Sequence, residues 1–146
     1  MGRTGYPAGA KEVVLVPEKV VGLSKAELKA SGDSESGEDE EMVVQIEGGS
    51  DHTLFLTSHG RVFGCGRSTD GQLGPPADHP SISKHDHTFS GMSFTDAFAA
   101  LPISVTFPTS TSIDLIKPIA VGEHNNFPVT RDGVVYVWGS GSVSWG

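Results

Sequence analysis

The sequence has little of what stabilises a disulfide-bonded or helical domain. Among its 146 residues there is a single cysteine, Cys65, and only 36% of the residues are hydrophobic. One cysteine excludes an internal disulfide and indicates a reducing compartment. The 19 glycines and 9 prolines are typical of turn-rich β structure with a small core. At this length we expect one domain.

Basic residues are also scarce, with 10 Lys and Arg against 18 Asp and Glu and a formal net charge of −8. Six of the acidic residues lie in one run between Asp33 and Glu41. Because the chain has no basic stripe, we expect no direct nucleic-acid contact from this segment. No apolar run approaches the length of a membrane span, so we also expect no membrane association.

Signals for enzyme chemistry are missing as well. The cluster His79, His85, Asp86 and His87 lacks the ligand spacing of a zinc site, no nucleophile stands beside a base, and no phosphate-binding loop is present. We therefore expect no metal, no cofactor, no small-molecule substrate and no covalent catalysis.

What the chain does contain is a repeat. Residues 49–66 align without gaps on residues 122–139, an offset of 73 positions. Each copy has two apolar, alternating arms around a turn that contains glycine, which predicts a β-hairpin. Such a repeat indicates an architecture of similar units packed side by side.

The first copy follows the pattern Gly-x-x-His-Thr-x-x-Leu-Thr-x-x-Gly-x-Val-Phe-x-x-Gly and is closed by Gly71-Gln72-Leu73-Gly74. This resembles the repeat of the regulator of chromosome condensation family, well over residues 46–74 and less well over 119–141. The resemblance implies an all-β fold, a partial β-propeller of about two blades from a seven-bladed family fold, with long irregular insertions. The residues to which it gives a structural role are Gly49, His52, Thr57, Gly60, Gly66, Gly71, Gln72, Leu73, Gly74, Gly122, Thr130, Gly133, Trp138 and Gly139.

Composition divides the chain further. Ser24 with Glu27 three residues later predicts a helical turn, and residues 93–101 suit either a short amphipathic helix or an extended segment.

We expect an irregular segment at 1–12 and a partial propeller repeat region at 13–146. Within that region we expect a linker and partial blade at 13–30, a mobile acidic insertion at 31–42, a first clear repeat at 43–74, a Pro/Ser-rich insertion at 75–112 and a second, truncated repeat at 113–146.

The resemblance also implies where a partner binds. It places Asp51, just before the recurrent His52, at a position that can face the GTPase in the family's Ran exchange factor. In the second copy His124 occupies that position and Asn125 replaces the histidine. The structural alternatives are that Asp51 stabilises its own turn and that His52 joins neighbouring loops. Ser36, which precedes acidic residues, is a candidate phosphorylation site, or part of an unmodified linker.

The implied function is guanine-nucleotide exchange on a Ran-type small GTPase in the nucleus, by non-covalent release of the nucleotide. Two alternatives stay open. The chain is a propeller scaffold for another protein without exchange activity, since a fold alone does not give function. Otherwise it is an incomplete, inactive product.

Overall fold

Strands dominate the computed structural model, which describes residues 16–32, 40–74, 79–107 and 116–140. The expectations for residues 1–12 and for Ser36 lie outside these ranges. Two antiparallel sheets are present, one of five strands in the order β1-β2-β3-β5-β4 and one of three in the order β6-β7-β8. The elements are α1 (Lys25–Ser31), β1 (Val43–Gly48), β2 (His52–Thr57), β3 (Val62–Arg67), β4 (Ser83–Phe89), β5 (Met92–Ser104), β6 (Ile116–Val121), β7 (Asn125–Thr130) and β8 (Trp138–Gly139).

The two predicted hairpins are confirmed, and they share one register. His52 pairs with Gly66 in the first copy, and Asn125 pairs with Gly139 at the same repeat position in the second. The predicted turns are confirmed at Gly60 and Gly133, whose φ angles are 81° and 90°. Glycine accepts such positive φ values without the steric cost that a Cβ imposes.

The second hairpin is less regular than the first. Its returning strand β8 has only two residues, whereas the returning strand β3 of the first hairpin has six. Pro128 lies within β7 and has no N–H to donate to a neighbouring strand. The second copy therefore departs from the regular hairpin geometry of the first.

Helix α1 begins where the sequence predicts, at a capping box. The Glu27 N–H donates to Ser24 Oγ over 3.3 Å, and the Ser24 N–H donates to the Glu27 carboxylate over 3.0 Å. Leu28 is fully buried and packs with Phe55, Phe63 and Cys65 on one face of the five-stranded sheet. Cys65 is thus a buried thiol within the core.

The expectation of an irregular segment at 75–112 is wrong for residues 83–104. These residues form β4 and β5, and β5 pairs with β3 at the outer side of the first repeat. Of the two alternatives for 93–101, the extended one is observed. Strand pairing explains the extended conformation, because it places Ala97, Ala99 and Ile103 of β5 in a buried cluster with Leu73. A short helix would not reach this cluster.

The expectation of a mobile acidic segment is wrong at its end. Glu41 is 7% exposed, and Arg61 donates to both of its carboxylate oxygens over 2.8 and 2.7 Å. Thr57 Oγ1 donates to the same carboxylate over 2.5 Å, and Arg61 also donates to the Leu28 carbonyl oxygen over 2.8 Å. The bidentate contact with Arg61 offsets the free-energy cost of burying the Glu41 carboxylate. Arg61 also joins α1 to the first hairpin turn.

Burial alone would raise the pKa of Glu41. The hydrogen bonds from Arg61 and Thr57, together with the charge of Arg61, outweigh burial and hold that pKa below its ordinary value. Glu41 is consequently ionised at neutral pH in the folded protein.

The two sheets meet in a shared apolar core. Leu54, Leu56 and Val62 of the first hairpin pack against Ile116 and Ile119 of β6. Phe107, which follows β5, makes edge-to-face ring contacts with side chains of the second copy. Each repeat therefore buries apolar surface against its neighbour, as in other repeat folds.

Candidate functional site

Two loops that carry the candidate partner-binding residues meet at one end of the sheets. The loop 49–51 joins β1 to β2, the loop 122–124 joins β6 to β7, and the Ser50 N–H donates to the Glu123 carbonyl oxygen over 3.0 Å. We call these two loops the rim. The structure thus brings Asp51 and His124 to the same edge, one from each repeat.

The repeat gives these two residues the same backbone contacts. The Asp51 carbonyl oxygen accepts from the Arg67 N–H over 2.8 Å, and the His124 carbonyl oxygen accepts from the Ser140 N–H over 3.0 Å. Each contact ties a rim loop to the end of the returning strand of its own hairpin. The two candidate residues are therefore held in equivalent positions by the chain itself.

Glycines make this approach of backbones possible. Gly66 has a φ of 101°, and a Cβ there would lie 2.5 Å from the Asp51 carbonyl oxygen. Gly139 has a φ of 128°, and a Cβ there would overlap the His124 carbonyl oxygen. Contacts this short do not occur for real Cβ atoms, so both positions require glycine, which explains their identity in the two copies.

Beneath the rim, a buried chain of polar groups joins the two repeats. His52 Nε2 lies 2.8 Å from Asn126 Oδ1, and Asn126 Nδ2 donates to the Gln72 carbonyl oxygen over 2.6 Å. Trp138 Nε1 donates to the same carbonyl oxygen over 2.9 Å. His52, Asn126 and Gln72 are each at most 1% exposed. We call His52, Asn126, Gln72 and Trp138 the junction network.

The junction network fixes the state of its histidine. Because Asn126 donates to a carbonyl through its amide nitrogen, its oxygen is left as the acceptor, and His52 Nε2 must carry the proton. Burial is the largest influence and lowers the pKa of His52; the hydrogen bond to Asn126 opposes burial without overcoming it, and the nearby His124 lowers the pKa further. His52 is thus a neutral donor inside the interface between the two repeats. This is the structural alternative given for His52 above, in which it joins neighbouring loops.

The closing motif Gly71-Gln72-Leu73-Gly74 serves the same junction. Gly71 and Gly74 have φ angles of 76° and 75°, so the chain turns sharply on both sides of Gln72. Leu73 is fully buried in the cluster beneath β5. This turn aims the Gln72 carbonyl at the second sheet, where two donors meet it.

Sequence reasoning missed Asn126, which aligns on Thr53 of the first copy. A signal was present, because two consecutive asparagines stand in a predicted strand where asparagine is disfavoured. Asn125, the one that aligns on His52, donates its amide to the Ser140 carbonyl oxygen over 3.0 Å within its own repeat. The contact between the repeats is made by its neighbour.

The rim surface itself is acidic and partly accessible. Glu123 and His124 have side chains that are 78% and 40% exposed, and Asp51 is half-buried. Within residues 16–32, 40–74, 79–107 and 116–140 there is no group of three or more His, Cys, Asp or Glu side chains that could hold a metal ion. Over the same residues, no helix is both long enough and apolar enough to cross a membrane.

Comparison with known proteins agrees with this arrangement. The model of the regulator of chromosome condensation (RCC1) repeat matches residues 43–72. Protein RCC1 of Candida albicans is 34% identical over 100 residues, which are 66% of this chain and 19% of that protein. The guanine nucleotide exchange factor SRM1 of Saccharomyces cerevisiae is 25% identical over 72% of this chain and 20% of its own length. The chain spans about a fifth of the length of these curated relatives.

A solved structure extends the likeness to the fold. The yeast RCC1 (Prp20) structure with bound Kap60 superposes with a TM-score of 0.50 and 22% identity, over 81% of this chain and 25% of that one. The two antiparallel sheets are consistent with part of a β-propeller, so the all-β, partial-propeller expectation is confirmed. Residues 43–72 are a repeat of the regulator of chromosome condensation family, and the chain is similar to proteins of that family over about two thirds of its length.

Proposed function

We propose that this chain is part of a guanine-nucleotide exchange factor for a Ran-type small GTPase in the nucleus, and that its rim contacts the GTPase. The observation that carries the proposal is the similarity to SRM1, whose name is that of an exchange factor. The arrangement of the rim supports it, because Asp51 and His124 lie on one accessible edge rather than in the core.

Exchange of this kind needs no covalent step. A protein that binds the nucleotide-free GTPase more tightly than the loaded form makes the nucleotide leave faster, and the difference in affinity is the whole driving force. The rim suits this task because its loops are already held by the Ser50–Glu123 hydrogen bond and by the contacts at Gly66 and Gly139. Loops that are ordered beforehand lose less conformational entropy when a partner binds.

The charge of the rim selects the partner surface. Asp51 and Glu123 place carboxylates on the two neighbouring loops. Acidic groups at a protein–protein interface favour a basic surface on the partner and raise the rate of association. The contact on the GTPase is therefore expected to carry Lys or Arg side chains.

The test is release of fluorescent GDP from a purified Ran-type GTPase with this chain at micromolar concentration. We expect the wild type to accelerate release. Asp51→Asn and His124→Gln should each reduce the acceleration about tenfold, the loss typical of one hydrogen bond to a charged group. Arg131→Ala is the matched control, since Arg131 is an exposed residue in the turn at the opposite end of the second hairpin.

Each result has a defined meaning when a thermal melt of the same sample shows that it is folded. Equal rates for Asp51→Asn, His124→Gln and Arg131→Ala would remove the rim from the proposal. No acceleration, together with measurable binding to the GTPase, would favour the scaffold alternative. Neither acceleration nor binding would overturn the proposal for this chain.

A further inference from the structure

Strand β4 is an unprotected edge of the five-stranded sheet. All seven of its residues, Ser83–Phe89, are exposed, and among the described residues it pairs only with β5. That pairing runs without a bulge from Ser83 to Phe89, and the strand contains no proline. Its outer N–H and C=O groups therefore form a regular row that another strand can pair with.

The charges of β4 are arranged symmetrically about one residue. Lys84 and Asp86 flank His85 and, being two positions apart, project from the same face of the sheet. Thr95 Oγ1 donates to the Asp86 carboxylate over 2.6 Å from the facing position of β5, which keeps that carboxylate on this face. The strand thus carries one positive and one negative group at equal distances from His85.

We propose that β4 pairs with β4 of a second copy of this chain, antiparallel and with the two-fold axis at His85. In this register Lys84 of each copy lies opposite Asp86 of the other, which gives two pairs of opposite charge. An axis at residue 84 would instead set lysine against lysine, and an axis at residue 86 would set aspartate against aspartate. The charges therefore favour the register centred on His85 over both neighbouring registers.

The pairing is closed and joins two five-stranded sheets into one. A two-fold contact of a surface with itself uses the β4 edge of both copies, so this contact does not propagate beyond a dimer. The other face of the hairpin is apolar at its tip, where Phe89 and Met92 form a cross-strand pair and are 74% and 73% exposed. This register places each Phe89 opposite Ser81 of the second copy, two residues before that copy's β4, so part of this apolar surface is covered.

The first test is sedimentation velocity of the chain over a range of concentrations. We expect a dimer that forms at micromolar concentrations, because an interface of two short strands is small. Lys84→Asp sets two pairs of like charges opposite each other and should weaken the dimer about tenfold or more. The charge swap Lys84→Asp with Asp86→Lys restores both opposite pairs and should restore the dimer.

A cysteine placed on the axis tests the register directly. His85→Cys lies opposite itself in the dimer and should form an intermolecular disulfide under mild oxidation. Ser83→Cys is the matched control on the same face, because its own copy lies about 13 Å away, beyond disulfide reach. The native Cys65 is fully buried and does not compete.

Three results would overturn the proposal. The first is a monomer at every concentration up to several hundred micromolar for the wild type. The second is the same dimerisation for Lys84→Asp as for the charge swap. The third is crosslinking of Ser83→Cys as fast as that of His85→Cys, which would show that contact between copies does not follow this register.

Discussion

The junction network makes a strong prediction about Asn126. Asn126→Ala removes the acceptor of His52 Nε2 and one of the two donors to the Gln72 carbonyl oxygen. Both groups are buried where water does not replace the lost partner. The substitution should therefore destabilise the contact between the two repeats rather than either hairpin alone.

The magnitude follows from the two bonds. His52 Nε2–H is left buried without an acceptor, which costs about 1–3 kcal/mol. The Gln72 carbonyl keeps its bond from Trp138, so the second loss is closer to the net value of an ordinary hydrogen bond, about 1 kcal/mol. We expect a total near 3 kcal/mol, which corresponds to roughly 6–12 °C in Tm for a chain of this size.

The assay is urea unfolding followed by tryptophan fluorescence, since Trp138 belongs to the network. Asn125→Ala is the matched control, because Asn125 is half-buried and its amide donates to one backbone carbonyl within its own repeat. It should cost about 1 kcal/mol or less. If Asn126→Ala loses no more stability than Asn125→Ala, the reasoning about the junction network is refuted.

Two further predictions concern the backbone and pH. Gly66→Ala should lower Tm far more than Gly71→Ala. Both glycines have positive φ, which costs alanine about 1–2 kcal/mol, but of the two only Gly66 would also bring a Cβ to 2.5 Å from a carbonyl oxygen. Equal losses in Tm would show that this close approach is unimportant. Because the folded-state pKa of Glu41 is lowered, its stabilisation is complete above its ordinary value of 4.5 and is lost as pH falls through the folded pKa. Urea unfolding at pH 7 and pH 3.5 should therefore show a smaller pH effect for Glu41→Gln than for the wild type, and equal effects would contradict the assignment.

The features that could be predicted from the sequence are the local ones. The hairpins around Gly60 and Gly133 follow from alternation of apolar residues and from the turn glycines, all within about 18 residues. The capping box of α1 is likewise set by Ser24 and Glu27 alone. In these cases the residues that decide the structure are neighbours in the chain, so their spacing carries the information.

What could not be predicted depends on contacts between distant residues. Strand β4 has no buried face, so no alternation marks it, and it is extended because β5 pairs with it. Glu41 belongs to an acidic run that is typical of a solvated segment, and its burial depends on Arg61, 20 residues later. The first hairpin alone offers such a partner, since Val134 stands at the position of Arg61 in the second copy.

The junction network shows how similar repeats can recognise a particular neighbour. The two copies share their backbone register, so backbone pairing does not distinguish one repeat from the other. Their side chains do, because His52 of the first copy finds Asn126, and the first copy has Thr53 at the matching position. A buried polar pair of this kind penalises wrong neighbours, which would leave His52 unsatisfied. Since the rim loops lie directly above this pair, the same contact that orders the repeats also sets the spacing of Asp51 and His124.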